Sequence, residues 1–213
     1  MPDKAQSGAV SEEDILADKL ARARLARAAF RFKTRTLPAL VLMTDDERLD
    51  DPLAAARALP HGSLVILRAR QAARRAKLAQ ALAAIARRRG LLLLIANDAV
   101  LAAKIGADGV HLSQARAADA AHWRARHPHW LITAAAHSLA ASTRAHHADA
   151  VLLATIFATA SHPEGASLGA IRARIIARHA PLPVYALGGI DAANAGRLEG
   201  AKFVGVAAIS ALS

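Results

Sequence analysis

The amino-acid sequence predicts a closed, parallel (β/α)₈ barrel, and three observations carry that expectation. From about residue 37 onward, short apolar runs alternate with helix-like stretches, the pattern of a parallel sheet covered by helices. Runs such as "LLLLIA" and "AVLLAT" are continuously apolar rather than alternating, as expected for strands buried on both faces. Eight such runs fit into roughly 170 residues, a small example of this barrel. An open, doubly wound sheet is the alternative built from the same units.

The expected strands are Ala39–Thr44, Ser63–Arg68, Leu91–Ala96, Gly109–Leu112, Leu131–Ala134, Ala150–Ala154, Pro183–Leu187 and Phe203–Val206. Helices are expected near 51–59, 70–89, 98–106, 115–127, 139–147, 167–179 and 192–199. The chain stops at Ser213, a few residues after the last strand, so the eighth outer helix is truncated. An extra amphipathic helix over Glu12–Phe32 precedes the first strand and is expected to cover the barrel near its first and last strands. The domain reading is therefore a tail and packing helix over 1–36 and a single barrel over 37–213.

With 213 residues, 54% of them hydrophobic, the chain can bury a sizeable core. The absence of cysteine excludes disulfides, thiolate metal sites and cysteine nucleophiles. No apolar run is long enough to span a bilayer and no signal-peptide core is present, so a cytoplasmic protein without membrane partners is expected. The net charge of +11 raises the question of nucleic acid. Most of that charge lies in helix-like stretches such as "RQAARRAKLAQALAAIARRR", and only 3% of residues are aromatic. Solvated helix faces explain the arginines better than base stacking does, and no nucleic-acid partner is expected.

In such barrels, functional groups gather at the C-terminal ends of the strands. Those ends carry Thr44-Asp45-Asp46, Arg68-Ala69-Arg70, Asn97-Asp98, His111 to Gln114, His137, Thr159 to His162, Gly188-Gly189 and Ile209-Ser210. "YALGGID" places two glycines after the seventh strand, where backbone amides can approach a ligand. "GVAAIS" can add amides and the Ser210 hydroxyl after the eighth. The pair suits a phosphate site; the plainer reading is a tight turn followed by a helix start. Arg68 and Arg70 suit phosphate through their planar forks, or are two surface arginines among many.

The blocks "LVLMTD", "LVILRAR", "IANDAVLAAKIGADGVHLSQ", "HSLAAS", "ADAVLLATIFAT", "PVYALGGI" and "GVAAIS" occur in the order found in the thiamine phosphate synthase and thiazole tautomerase family, which the chain resembles from about residue 37 to 213. The resemblance implies thiamine biosynthesis on a (β/α)₈ barrel and a phosphorylated thiazole, or a related phosphoester, as small-molecule partner. It implies phosphate binding by Gly188, Gly189, Ile209 and Ser210, and further substrate contacts from Arg68, Arg70, Asn97, Thr159 and Ser161. A homodimer is a possible assembly.

Departures from the family pattern set the expectations for chemistry. The family's "QLREK" reads Ile66-Leu67-Arg68-Ala69-Arg70, and its "NDR" reads Asn97-Asp98-Ala99. Its "GQxD" reads Ser113-Gln114-Ala115-Arg116, so Asp98 stands as a weak or lost Mg²⁺ ligand whose partner carboxylate has become a cation. Arg116 either takes over charge neutralisation or extends into water. Ala135 replaces a serine ahead of His137, and His162 replaces the lysine of "PTxTK". Expelling diphosphate calls for concentrated positive charge, normally Mg²⁺ with Arg and Lys. Shifting a double bond in a thiazole calls only for proton transfer, for which His137 is the candidate catalytic residue. The expectation is thus a divergent, tautomerase-like enzyme needing no cofactor. A synthase joining pyrimidine diphosphate to thiazole phosphate, with Mg²⁺ possible, is the alternative; a non-catalytic phosphometabolite-binding protein is another.

Overall fold

The computed structural model describes residues 12–29, 37–159 and 167–212. Ser161 and His162 lie outside the described residues, as do 1–11, 30–36 and Ser213. Eight parallel strands, each hydrogen-bonded to the next, close into a barrel. They are β1 (Leu40–Met43), β2 (Leu64–Leu67), β3 (Leu92–Ala96), β4 (Gly109–Leu112), β5 (Leu131–Ala136), β6 (Ala150–Leu153), β7 (Val184–Leu187) and β8 (Phe203–Ala208). Closure comes from the register Leu40↔Val206, Val41↔Ala207 and Leu42↔Ala208.

Strand side chains alternate between two apolar layers, as the two-residue period requires. Val41, Met43, Leu64, Ile66, Leu94, Leu152 and Tyr185 fill the lumen. Leu40, Leu42, Val65, Leu67, Leu93 and Ile95 point outward into the layer under the helices. Burial on both sides is why these strands read as unbroken apolar runs. Near the lumen's base, the Tyr185 hydroxyl donates to the Pro38 carbonyl at 2.7 Å. Gly205 makes room for this ring: a Cβ there would lie 2.4 Å from Ala39 O and 2.7 Å from Tyr185 Cε1.

Seven helices are described: α1 (Glu12–Ala29), α2 (Pro52–Ala58), α3 (Ala72–Arg89), α4 (Ala99–Ile105), α5 (Ala120–Arg126), α6 (Leu139–Arg144) and α7 (Gly169–His179). Local chemistry sets their ends. Asp51 and Ser138 cap α2 and α6 through their side chains, while left-handed Gly90 and Gly106 end α3 and α4.

Two elements differ from the expected pattern, and the last one follows it. The segment expected as one helix over 115–127 is a 3₁₀ turn over Gln114–Asp119 followed by α5. The segment 192–199 forms only a 3₁₀ turn, Ala195–Leu198. There Asp191 Oδ1 accepts from the amides of Ala193 and Asn194 and so caps the start of this short turn. After β8 the described chain makes a single 3₁₀ turn, Ser210–Leu212. Helix α1 packs beside these last two turns, with Leu25 and Ala29 fully buried.

Candidate active site at the C-terminal mouth of the barrel

Two adjoining cavities open at the C-terminal ends of the strands. The larger, about 580 Å³, is lined by Gly188, Gly189, Asp191, Ala208, Ile209 and Ser210, among others. The smaller, about 360 Å³, runs down to Met43, Ala96, His111 and Leu152 and includes Arg68, Asn97, Gln114 and His137. Arg48, Thr159, Leu187, Gly188 and Ile209 line both, so the cavities share a wall.

The glycines of that wall are required by close approach as well as by backbone shape. Gly188 and Gly189 have φ of 99° and 62°, in the left-handed region. A Cβ on Gly188 would lie 2.7 Å from Thr155 Cγ2, and one on Gly189 would lie 2.5 Å from Ala158 O. The loop after β6 packs directly on this turn, with the amides of Ile156 and Phe157 donating to the carbonyls of Leu187 and Gly188. Gly189 O accepts from the Asn194 side chain at 2.7 Å, which fixes the far side of the turn.

At the β1 and β2 exits, Thr44 clips the strands together. Its hydroxyl accepts from Arg68 N at 2.9 Å and donates to Arg68 O at 3.1 Å. One carboxylate, Asp45, then holds two guanidiniums: Oδ2 accepts from Arg48 and from Arg68. Burial alone would raise the Asp45 carboxyl. Hydrogen bonds from Arg48, the Glu47 amide and Arg68 outweigh it and hold the group well below the usual carboxylate range. Arg70 leaves the site. It bonds Glu47 at 2.7 Å, its side chain is 79% exposed, and it lines neither cavity.

At the β3 and β4 exits, the candidate metal ligands are engaged by protein. Asp98 caps α4 by accepting from Leu101 N at 3.0 Å, and its other oxygen pairs with Arg75 at 3.0 Å. Arg116 donates to Asn97 O at 3.0 Å and to Asp119 at 2.9 Å. Asn97, left-handed at φ 55°, accepts from the Ser113 amide through Oδ1. A divalent cation needs carboxylate oxygens that are available to it. These side chains do not fit one, and the described residues contain no cluster of three or more histidines and carboxylates.

Two histidines border the smaller cavity. His137 makes a 2.7 Å contact from Nδ1 to Ala154 O. A carbonyl only accepts, so Nδ1 carries a proton, and in the neutral tautomer Nε2 holds the lone pair. The His137 amide donates to Gln114 Oε1, tying the β5 exit to β4. His111 is buried in the wall, 2.9 Å from Thr133 Oγ1. Burial, with a smaller contribution from the Arg68 charge, lowers its pKa from 6.5 to about 4.

The structure thus brings Arg68, Asn97, His137, Thr159, Gly188, Gly189, Ile209 and Ser210 around one mouth, leaves Arg70 outside, and removes Asp98 into helix capping. Arg48 and Arg75 were missed by the sequence reading. Arg48 carried a usable signal, its place three residues beyond Asp45 at a strand exit. Arg75 carried none, because its partner lies 23 residues away, at the cap of the next helix.

Comparison with known proteins agrees with this architecture. The family profile described as thiamine monophosphate synthase matches residues 40–212. The chain belongs to the thiamine monophosphate synthase family. The thiamine-phosphate synthase of Bordetella pertussis is 36% identical over 182 residues, covering 79% of this chain and 82% of that protein. A putative thiamine-phosphate synthase 2 of Aquifex aeolicus is 35% identical over 116 residues, 54% of this chain and 62% of the relative. The solved thiamine phosphate pyrophosphorylase of Pyrococcus furiosus superposes with a TM-score of 0.65 at 21% identity, covering 85% and 87% of the two chains, which supports the fold. Among the described residues, no helix is long and apolar enough to cross a membrane.

Proposed function

We propose that this member of the synthase family acts on a phosphorylated thiazole in thiamine biosynthesis. The phosphate would rest over Gly188, Gly189, Ile209 and Ser210 in the larger cavity, and the ring would enter the smaller one beside His137. The observation that carries this reading is the shared wall: a glycine turn with left-handed, sterically enforced backbone separates a cavity suited to an oxyanion from one bordered by arginine and histidine.

The synthase reaction is the activity that the relatives' names favour. In it the bond from the pyrimidine methylene carbon to diphosphate breaks, and a bond to the thiazole nitrogen forms. The departing anion needs positive charge. Here that charge would come from guanidinium groups, Arg68 first, since Asp98 and Arg116 do not form a cation site.

A tautomerase is the second reading, favoured by the same departures. With Arg116 in place of a carboxylate and Arg70 turned away, provision for diphosphate is reduced. His137 meanwhile presents a fixed tautomer with Nε2 as base. One experiment separates the readings: thiamine phosphate formation with and without Mg²⁺, beside tautomerisation of thiazole carboxylate phosphate. Robust synthase turnover without a measurable tautomerase rate selects the first. The converse selects the second. Neither activity, with thiazole phosphate still binding, would leave a binding protein.

A further inference from the structure

We propose that Arg48 is a specificity-determining residue of the anion site, supplying a side-chain cation to the phosphate monoester cradled by Gly188, Gly189 and Ser210. This deepens the proposed function and rests on it. Arg48 lies in the turn after β1, three residues beyond Asp45. Because β8 pairs with β1, this turn stands next to the one that begins at Ser210. Arg48 lines the larger cavity together with Gly188, Gly189 and Ser210, and it also lines the smaller one. It is therefore a cation placed where a ligand spanning both spaces would pass.

Its anchoring is unusual for a surface arginine. The Arg48 side chain is 28% exposed and donates to Asp45 Oδ2 at 3.1 Å, and Asp45 itself is 9% exposed. The same oxygen also receives Arg68. Two guanidiniums thus share one carboxylate oxygen at the cavity edge, and that bond orients both forks before any ligand arrives. A guanidinium carries five N–H donors, so pairing with a carboxylate and contacting a phosphate are compatible. Asp191, the carboxylate across the larger cavity, would oppose an anion. Its Oδ1 is engaged by the amides of Ala193 and Asn194.

The chemistry expected is recognition of a dianionic phosphate monoester. Backbone amides supply geometry without net charge, and Arg48 supplies charge and a planar fork. Among the described residues that line this cavity, Arg48 is the basic one, beside a glycine turn and a short 3₁₀ turn that offer dipoles. Arg48 acts on binding, so its loss should appear in KM more than in kcat.

The test measures dissociation constants for inorganic phosphate and for thiazole phosphate by calorimetry, at two salt concentrations. The proteins are wild type, Arg48→Met, Arg48→Lys and, as a control on the exposed end of α5, Arg126→Met. Arg48→Met should weaken both ligands about tenfold to a hundredfold, the range for one charge-assisted contact. Arg48→Lys should recover part of the loss, Arg126→Met should change nothing, and the salt dependence should flatten in Arg48→Met. Should Arg48→Met fail to fold, Arg48→Gln is read against the same range. If the neutral variant binds within about twofold of wild type, the Arg48 proposal is overturned while the phosphate site stands. If wild type binds neither ligand, the proposed function falls with it. If Gly189→Val abolishes binding that Arg48→Met leaves intact, the amides alone hold the anion and Arg48 has no part.

Discussion

His111 shows how a single residue at this mouth is fixed by burial. With Nδ1 on Thr133 and the Arg68 charge nearby, the ring is held neutral down to about pH 4. In the unfolded chain the same imidazole takes a proton below about pH 6.5. Between those values the unfolded state binds the extra proton, so stability falls as pH drops through that window and is complete above it. The shift corresponds to about 3 kcal/mol at its full extent. His111→Gln should remove most of this pH dependence between about pH 4 and 6.5, as read by urea unfolding. A variant whose stability still declines like wild type would show that the proton goes elsewhere. His137 has a different setting, exposed and with its tautomer set by Ala154 O. Under the proton-transfer reading, His137→Ala should lower turnover about 10²–10⁴-fold. Affinity for the phosphate ester should change little, because other groups hold it. Near-normal tautomerase turnover in that variant would exclude the role.

At the scale of elements, the exits of β3 and β4 show what sequence can and cannot convey. The apolar runs of the strands and the polar residues at their ends were legible because burial on both faces and exposure at the mouth leave a local pattern. The exchange of a carboxylate for Arg116 was legible too. What Asp98 does instead was not, since Arg75 reaches it from another helix, and such partners depend on closure of the barrel. For the same reason nothing local showed that Arg70, two residues after Arg68, would turn to Glu47 and leave the cavities. The short turn over 195–198 was misjudged as helix: Asp191 and Asn194 cap each other's backbone as at a helix start, but only a 3₁₀ turn follows. These bonds predict that one substitution will not restore a cation site. Arg116→Asp supplies a second carboxylate, yet Asp98 remains paired with Arg75. Arg116→Asp combined with Arg75→Gln should bind Mn²⁺ at least about tenfold more tightly than wild type, and more tightly than Arg116→Asp alone. Calorimetry with Mn²⁺ decides it; wild type binding as well as the double variant would reverse the reading of this loop.

For the whole molecule, the outer face of β8 and β1 sets what α1 must cover. The outer face of β8 and β1 is apolar through Leu40, Leu42 and Val206, and exposing it to water would cost stability. Helix α1 supplies the cover: among its described side chains Leu25 and Ala29 are fully buried and Ala26 is half-buried, while Ala21 and Arg24 face outward. The cover is loose, because a groove of about 470 Å³ remains between α1, Leu40, Leu59 and Leu212. Among its described side chains, α1 is anchored on the barrel by Leu25 and Ala29. Leu25→Ala should therefore destabilise the protein by about 2–3 kcal/mol, the lower part of the range for a buried leucine because the adjacent groove lets the site relax. A drop of that size lowers Tm by about 5–10 °C in a protein of this length. Leu20→Ala, in the same helix but 48% exposed, should stay within about 0.5 kcal/mol of wild type. The contrast is the measurement that matters: both variants lose the same helix-forming leucine, so propensity cancels and packing remains. Equal, small effects from the two would mean that α1 lies on the barrel without stabilising it, and that the eight-stranded unit holds its last strand by sheet pairing alone.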